Sequence, residues 1–279
     1  MSQKINASLF RRILKSSEWD SKYIEQNKEE SSLLLYKNIE IRNYLNRIFE
    51  LSDLLLMTCK TELSGSKLII FISVWDNSIF TKSIESSESD QCSIDGKNLI
   101  TRIINGAVIT GLKKYCGDKV SVLIKTKNLN KQFENSVLKS KNNQLEYKKT
   151  IKRLKVFRNY PNSSEIIKMA FIVITNKNSS KLLAKTLSCL IVNQKRRHSY
   201  ILTFVKKLFT ILLSSKISRI HGLRILISGR LNGFPRAKKR LLKIGSVPLQ
   251  SFNAKVDYSQ EVAYTSNGTF GIKVWVCGK

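Results

Sequence analysis

Two short segments near the carboxyl end of this chain alternate apolar and other residues with the period of a β-strand. Residues 223–228 read LRILIS and residues 272–277 read IKVWVC. A period of two points successive side chains to opposite faces of a sheet, so each segment is predicted to be a strand with one well-buried face. We expect these strands to belong to a carboxy-terminal domain in which helices pack on a mixed β-sheet.

The residues that follow the first strand combine turn chemistry with a run of cations. Gly229, Asn232, Gly233 and Pro235 favour turns and end the strand. We therefore expect an irregular, flexible connection that contains Arg230, Arg236, Lys238, Lys239, Arg240 and Lys243. Lysine and arginine neutralise phosphate oxygens and release condensed counterions, so a cationic loop held between two strands is suited to contact nucleic acid.

Four ordered motifs lie in the same stretch. They are SGRL at Ser228–Leu231, GSVPL at Gly245–Leu249, the pair Asp257–Tyr258, and GTFGIKVW at Gly268–Trp275. With these motifs the stretch closely resembles the carboxy-terminal domain of small-subunit ribosomal protein number three, a family of bacteria and organelles. The opening of the chain, QKIN at residues 3–6, is similar to the start of that family, and Phe10, Arg11 and Trp19 stand in compatible places.

Positive charge is concentrated in the second half of the chain, whose formal net charge is +29. Residues 1–125 carry 18 Lys/Arg and 15 Asp/Glu, residues 126–160 carry ten and two, and residues 161–279 carry 21 and three. Confining like charges in one domain opposes compaction, and a polyanionic partner removes that repulsion. The distribution therefore predicts RNA as a partner. No apolar run approaches the roughly 18 residues that span a bilayer, so membrane insertion is not expected.

The cysteines are widely spaced and the histidines stand apart from them. Five cysteines without Cys-x-x-Cys spacing predict free thiols in a reducing compartment, with no metal and no cofactor. Residues 1–17 contain four cations and no acid, as an organelle presequence does. The family resemblance begins near residue 3, however, so we expect this start to be mature sequence. Abundant Lys, Asn and Ile are typical of A/T-rich coding, which favours a mitochondrial protein, with a plastid as second choice.

The first half is predicted to hold a basic arm and a KH-like domain, which gives the chain an α+β fold. Residues 1–30 read as an extended arm. Residues 31–126 follow the order helix, strand, strand, helix, strand of a type II KH domain, with an acidic inserted loop over 76–95. KH domains clamp single-stranded nucleic acid with a Gly-x-x-Gly loop, and Gly96–Leu99 stands at that place without the second glycine. We expect a degenerate cleft; an ordinary helix-start turn is the alternative.

A basic linker or insertion is predicted over 127–165. It is either a solvated spacer or a segment that tracks RNA and orders on binding. The carboxy-terminal domain is predicted over 166–279. We expect it to begin with a short apolar strand from Ile166 to Thr175 and to continue with helices at Lys181–Arg197 and Ser199–Ser215.

The resemblance implies a structural constituent of an organellar small ribosomal subunit. Such a protein would lie in the head, bind head rRNA and neighbouring head proteins, and flank the channel where mRNA enters. Arg196 and Arg197 match an arginine pair that helps the family unwind mRNA, whereas a second pair falls on Ile201 and Leu202, unless Lys206 and Lys207 substitute for it. The predicted RNA-binding residues are Lys4, Arg11, Arg12, Lys15, Lys97, Lys195, Arg196, Arg197, Lys206, Lys207, Arg224, Arg230, Arg236, Lys238, Lys239, Arg240 and Lys243.

A free-standing organellar RNA-binding protein and a maturase-like intron factor are the alternatives. Metal-assisted cleavage of RNA needs clustered carboxylates, and residues 161–279 offer only Glu165, Asp257 and Glu261, so no catalytic residue is predicted. Asp257 has a structural role available, as a cap or as a partner of Lys255. The remaining candidates divide by chemistry. The histidines, His198 and His221, are expected at the surface or facing RNA. Four aromatic residues could stack on bases, although packing within the strands is the commoner role for such rings; they are Tyr258, Tyr264, Phe270 and Trp275.

Overall fold

Helices and strands are distributed over two separate units of the chain, which confirms the α+β class. The computed structural model describes residues 6–12, 19–25, 27–52, 54–76, 104–117, 120–129, 141–157, 160, 163–175, 179–193, 198–233 and 239–279. One unit comprises residues 18–132, and the other joins residues 1–17 to residues 133–279. The short first helix, α1 (Ala7–Arg12), therefore belongs with the carboxy-terminal unit. The extended arm predicted over 1–30 is wrong for these six residues, which are helical.

In its described residues, the unit of residues 18–132 contains a four-stranded sheet and the helices that pack with it. Its elements are β1 (Ser21–Tyr23), α2 (Glu30–Leu51), β2 (Leu54–Ser64), β3 (Lys67–Asp76), a π-helical turn at Ile104–Val108 that leads into α3 (Ile109–Cys116), and β4 (Ser121–Asn128). The strands lie in the order β1-β2-β3-β4. β2 and β3 are antiparallel, whereas β4 runs parallel to β3 and β1 runs parallel to β2.

The core of this unit forms where α2 covers the sheet. Ile41, Leu45 and Phe49 recur every four residues, so they share one face of the helix, and all three are buried. They pack in one cluster with apolar residues of β2, β3 and α3. The predicted order of helix, strand, strand, helix, strand is present. The inserted loop predicted over 76–95 lies outside the described residues except for Asp76, and the Gly96–Leu99 turn lies outside them entirely.

The carboxy-terminal unit consists of helices followed by a second four-stranded sheet. Its elements are α4 (Lys141–Leu154) with a 3₁₀ turn at Lys155–Phe157, α5 (Ser163–Thr175), α6 (Ser180–Asn193), α7 (His198–Leu213), β5 (Ile220–Ser228), β6 (Lys239–Gly245), β7 (Val256–Thr265) and β8 (Gly268–Gly278). The strand order is β6-β5-β8-β7, and every pair is antiparallel. The sheet is thus antiparallel rather than mixed, and a two-residue turn joins β7 to β8, as antiparallel neighbours allow.

Two segments of this unit differ from their predicted structure. Ile166–Thr175 was predicted to be a strand but forms most of α5, with the run from Met169 to Ile174 buried. Apart from the exposed Lys168, the run up to Ile174 is apolar, and such a run has no clear helical stripe, so periodicity does not distinguish it from a buried strand. The linker prediction is wrong for residues 141–157, which form α4 and its 3₁₀ turn, with Leu154 and Phe157 buried.

Both predicted strands of the carboxy-terminal unit are confirmed, in β5 and β8. Leu223, Ile225 and Ile227 are buried on the face that α6 and α7 cover. On β8, however, Trp275 and Cys277 of the opposite face are buried as well. They form a second cluster with Ala7 of α1, so the amino-terminal helix covers part of this sheet from the other side. Within the described ranges no helix has both the length and the apolar character to cross a membrane.

The SGRL motif follows β5, and the asparagine after it is hydrogen-bonded to the start of α7. Gly229 lies so close to the Phe270 ring that an added Cβ would stand 2.5 Å from it, and Leu231 is buried. Asn232 has a left-handed backbone, with φ of 52°. Its Oδ1 accepts a hydrogen bond from His198 N at 3.1 Å, and its Nδ2 donates to Ser199 Oγ at 2.9 Å. Asn232 therefore caps the first turn of α7 from a distant part of the sequence.

Replacing Asn232 tests this cap. We expect Asn232→Ala to lower the free energy of unfolding by about 2 kcal/mol, since about 1 kcal/mol comes from the lost cap and about 1 kcal/mol from alanine in a left-handed conformation. Asn232→Gly loses the cap alone and should cost roughly half as much. Urea denaturation followed by circular dichroism measures both. Asn267→Ala, in the exposed β7–β8 turn, is the control; equal losses for all three variants would contradict the capping role.

Candidate RNA interface

One row of side chains crosses all four strands of the carboxy-terminal sheet on its outer face, the face opposite α6 and α7. Lys243 of β6 pairs with Arg224 of β5, Arg224 pairs with Trp275 of β8, and Trp275 pairs with Tyr258 of β7. Directly paired residues share a face, so these side chains are neighbours. The Arg224 Cζ atom lies 5.3 Å from the Trp275 ring centroid, and the Tyr258 ring lies 5.3 Å from the same ring. The arginine is held over an aromatic platform.

Further cations flank this row on the same face. Lys273 of β8 pairs with Leu226, which pairs with Leu241, and Lys239 pairs with Ser228 at the far end of the β5–β6 ladder. Lys239, Lys243 and Lys273 are exposed to solvent, and Leu241 is 42% exposed. The outer face therefore combines three exposed lysines with an arginine stacked on tryptophan. The Trp275 ring itself is buried, so this face offers its cations, which suit the phosphates of RNA.

The basic stretch after β5 differs from the irregular connection that was predicted. Lys239, Arg240 and Lys243 lie in the regular strand β6. Since side chains alternate along a strand, Arg240 faces the opposite way from the two lysines. It shares the α7 side of the sheet with the buried Ile244 and is itself half-buried. Arg236 and Lys238 lie outside the described residues. The turn residues at 229–235 predict a loop that continues through the basic residues. Instead, residues 239–245 pair with β5 and form an edge strand of the sheet.

The other predicted RNA-binding cations lie on helices and loops. Lys206 and Lys207 are exposed on α7, and Arg230 is exposed beside the capped start of that helix. Ile201 and Leu202, where the second arginine pair would stand, are buried in the core. Arg12 ends α1, and nothing is described of its side chain. The remaining predicted residues lie outside the described part of the chain: Lys4, Lys15, Lys97, Lys195, Arg196 and Arg197.

Arg11 was predicted to bind RNA, but its guanidinium is directed into the protein. Only 6% of the residue is exposed. Its Nη2 donates to the carbonyl oxygens of Leu249 at 2.9 Å and Ser251 at 2.8 Å, and its Nη1 donates to Ala7 O at 3.0 Å. Partial burial lowers the pKa of this guanidinium from its ordinary value, while the nearby Cys277 thiol opposes that shift. Arg11 links α1 to the loop after β6, because its guanidinium N–H groups donate to backbone carbonyl oxygens of both segments.

The GSVPL motif supplies the other half of this junction. Gly245 has φ of +70°, and an added Cβ would stand 2.3 Å from His221 O, so the turn requires glycine. The chain then presents Val247 and Leu249 to the cluster around Ala7 and Trp275. Phe10 of α1 stacks on Phe252, with ring centroids 4.2 Å apart. The amino-terminal segment and the GSVPL motif therefore form one structural unit, although about 240 residues separate them.

The histidines and aromatic residues divide between core and surface. His198 was predicted at the surface but is buried, at 5.4 Å from the Phe270 ring, because the Asn232 cap holds the start of α7 against the sheet. His221 is exposed as expected. Phe270 and Trp275 are buried, Tyr258 is half-buried, and Tyr264 is 75% exposed, so strand packing prevails for most of these rings.

Two acidic residues of this unit, Asp257 and Glu165, are placed within the fold. The predicted capping role of Asp257 is confirmed, since its Oδ2 accepts a hydrogen bond from Ser180 N at 2.9 Å at the start of α6. Burial raises the pKa of the Glu165 carboxyl, and Lys168 partly opposes that shift. Among the described residues, no three His, Cys, Asp or Glu side chains are grouped as metal ligands would be.

Comparison with known proteins agrees with the four motifs. Residues 202–276, from α7 to β8, match the family described as ribosomal protein S3, C-terminal domain. The chain is 36% identical over 110 residues to small ribosomal subunit protein uS3c of Cyanidium caldarium, covering 39% of this chain and 50% of the relative. It is 37% identical over 73 residues to uS3c of Euglena gracilis, covering 26% and 34%. It is 48% identical over 57 residues to uS3 of Phocaeicola vulgatus, covering 20% and 24%. The matches span half of these relatives or less.

The structural role of Arg11 can be measured directly. Lysine keeps the charge but cannot reproduce the planar fork of donors, so Arg11→Lys leaves buried carbonyls without partners. We expect a loss of about 2 kcal/mol in the stability of the carboxy-terminal unit, read as faster amide hydrogen exchange of the β7 and β8 peptides. Lys243→Arg is the matched control on the exposed face. Exchange that is as slow in Arg11→Lys as in the control would contradict the proposed junction.

Proposed function

This chain belongs to the small-subunit ribosomal protein S3 family through its carboxy-terminal domain, and we propose from that premise that it is a structural constituent of the small ribosomal subunit of an organelle. The single observation that carries the proposal is the outer face of the sheet inside the matched region. There Lys239, Lys243 and Lys273 lie on the same face as the Arg224–Trp275 stack, with Lys243 paired directly with Arg224. The matched domain therefore presents a folded, cationic surface to a polyanion.

The chemistry proposed for this face is the binding of rRNA. Exposed lysines neutralise phosphates and release counterions, which supplies affinity without reading sequence. Arg224 adds a planar guanidinium whose Nε atom is buried without a hydrogen-bond partner among the described residues. Its face lies on Trp275, so its edge is the part that can meet a phosphate or a base. A constituent of a ribonucleoprotein needs such contacts for attachment, and no reaction is proposed for it.

The position within the subunit is proposed from the family resemblance. We place the chain in the head, beside neighbouring head proteins, where it binds head rRNA and flanks the mRNA entry channel. Lys206, Lys207 and Arg230 support a channel-facing role, since all three are exposed on α7 or beside its start. Burial of Ile201 and Leu202 supports only a reduced unwinding role, because no second arginine pair can stand there.

Two finer parts of the proposal concern the amino-terminal domain and the compartment. The element order and the parallel β3–β4 pair are consistent with a degenerate KH-like domain, in which Lys97 stays a predicted RNA contact. We propose the mitochondrion as the compartment and the plastid as second choice. The relatives in Cyanidium and Euglena carry the plastid-type name uS3c, whereas the A/T-biased composition favours the mitochondrion.

Neutralising the outer face tests the proposal. The triple variant Lys239→Gln, Lys243→Gln, Lys273→Gln should lose most of its incorporation into small subunits, measured by sedimentation of organellar extracts and mass spectrometry of the small-subunit fraction. With purified chain and small-subunit rRNA, the slope of log affinity against log salt should fall by about two to three, as expected for roughly 0.9 per lost phosphate contact.

The matched control is Lys168→Gln, Lys216→Gln, Lys255→Gln, which removes the same charge from exposed lysines elsewhere in the unit. It should incorporate normally. Wild-type chain that stays at the top of the gradient would overturn the ribosomal assignment. Equal loss in the two triple variants would show that only total charge matters and that the outer face is not the contact.

A further inference from the structure

Helix α4 presents a basic face that neither the sequence motifs nor the matched domain accounts for. Lys148, Lys149, Lys152, Arg153 and the following Lys155 are all exposed. In the described part of the chain no salt bridge involves these five residues. Glu146 is the single acid from Lys141 to Phe157. Cations placed this closely on one helix repel each other, so the arrangement is unfavourable without a polyanion.

The opposite side of α4 is fixed to the carboxy-terminal unit by apolar and aromatic contacts. Tyr147 lies edge-on to Phe171 of α5, with ring centroids 4.8 Å apart, and Thr150 and Leu154 are buried along the same stripe. Burial raises the pKa of the Tyr147 hydroxyl, in keeping with this inward position. The helix is therefore held in one orientation, so its basic face is a defined surface of the folded unit.

A stack of aromatic rings continues this attachment onto α7. Tyr160 lies flat against Tyr200 at 4.2 Å and flat against Phe204 at 4.5 Å, and Phe157 lies 5.6 Å from Phe204. Tyr200, Phe204 and Lys207 follow one another at helical spacing along α7. The exposed Lys207 thus stands one turn beyond the stack, and the α4 segment is joined to the helix that carries the predicted channel cations.

We propose that the basic face of α4, from Lys148 to Lys155, is a second RNA-binding surface, joined through the Tyr160 stack to α7. The proposal extends the ribosomal function above and rests on it for the identity of the RNA. The contact is mainly with phosphates, since the face carries five cations and the described aromatic rings of this segment, Tyr147 and Phe157, are turned towards the protein. Leu145 and Val156, at 59% and 79% exposure, lie just beyond the two ends of this face and supply apolar contact area to the same partner.

A membrane surface fits these observations less well than RNA. Helices that lie on membranes bury a broad apolar side with bulky anchors in the headgroup region. The apolar side of α4 is already used against α5 and α7, and its aromatic residue, Tyr147, faces inward. Because this face has only two exposed aliphatic side chains beside five cations, electrostatic attraction to a polyanion makes the main favourable contribution to the free energy of binding.

The test uses the full-length chain and two defined probes, a 30-nucleotide polyuridine and a 20-base-pair RNA duplex of mixed sequence. Fluorescence anisotropy gives the affinity at several potassium chloride concentrations. The variant Lys148→Ala, Lys149→Ala, Lys152→Ala, Arg153→Ala should bind at least tenfold more weakly at low salt. Its slope of log affinity against log salt should fall by about two to four, at roughly 0.9 per contact on duplex and 0.7 on single strands.

A matched control separates a local contact from a loss of total charge. Lys28→Ala, Lys37→Ala, Arg47→Ala, Lys114→Ala removes three lysines and one arginine from exposed positions of the other unit, where Glu29, Glu30, Glu40 and Glu50 are interspersed. Its slope should change by less than one. Equal effects of the two quadruple variants would overturn the α4 site. So would binding of anionic phosphatidylglycerol vesicles that only the α4 variant loses while its RNA affinity is unchanged.

Failure of this inference can be told apart from failure of the ribosomal assignment. The α4 variant keeps the outer face of the sheet, so it should still sediment with small subunits, while ultraviolet crosslinks between its 141–157 peptide and rRNA should disappear. Crosslinks that persist undiminished in the variant would overturn the α4 surface alone. Absence of the wild-type chain from small subunits would overturn the function while leaving the measured RNA affinity of α4 intact.

Discussion

Repulsion between like charges is the constraint on which the arrangement of the carboxy-terminal unit depends. Residues 161–279 contain 21 cations and three acids, so the unit cannot neutralise itself with internal ion pairs. Its core is mainly apolar: α6 and α7 cover one side of an antiparallel sheet, and among the described Lys, Arg, Asp and Glu residues of the unit Arg11 and Glu165 are the buried ones. Arg11 is the informative exception, since it is buried but surrounded by carbonyl oxygens that neutralise its field locally.

Most of the described residues in the motifs shared with the S3 family have structural roles. In SGRL, Gly229 meets the Phe270 ring and Leu231 enters the core, and the following Asn232 caps α7. GSVPL builds the carbonyl cage of Arg11, and Asp257 caps α6. These residues fix the backbone, and the exposed Lys239 and Lys243 between them are the ones we propose to contact RNA. The matching residues therefore largely report the fold, whereas most of the cations proposed to bind RNA, apart from Arg230 and Lys273, lie outside the motifs.

How far the sequence predicted this structure depended on what each pattern encodes. The period-two segments at 223–228 and 272–277 predicted β5 and β8 because alternation directly reports a half-buried strand. Alternation could not reveal that α1 would cover Trp275, since that contact joins residues far apart in the chain. The mostly apolar run at 166–175 has no clear period, so its pattern predicts a strand where the structure has a helix. Arg11 and Arg240 were assigned to RNA from charge alone, which does not say toward which side of an element a cation points.

The central claim is that the charge of this unit is balanced by RNA rather than by the protein itself. Its most direct test is the thermal unfolding midpoint of the full chain over a range of potassium chloride concentrations, with and without small-subunit rRNA. The account predicts that the midpoint rises with salt in the absence of RNA, and that rRNA raises it strongly at low salt and little at high salt. A midpoint that is independent of salt and unchanged by rRNA would contradict it.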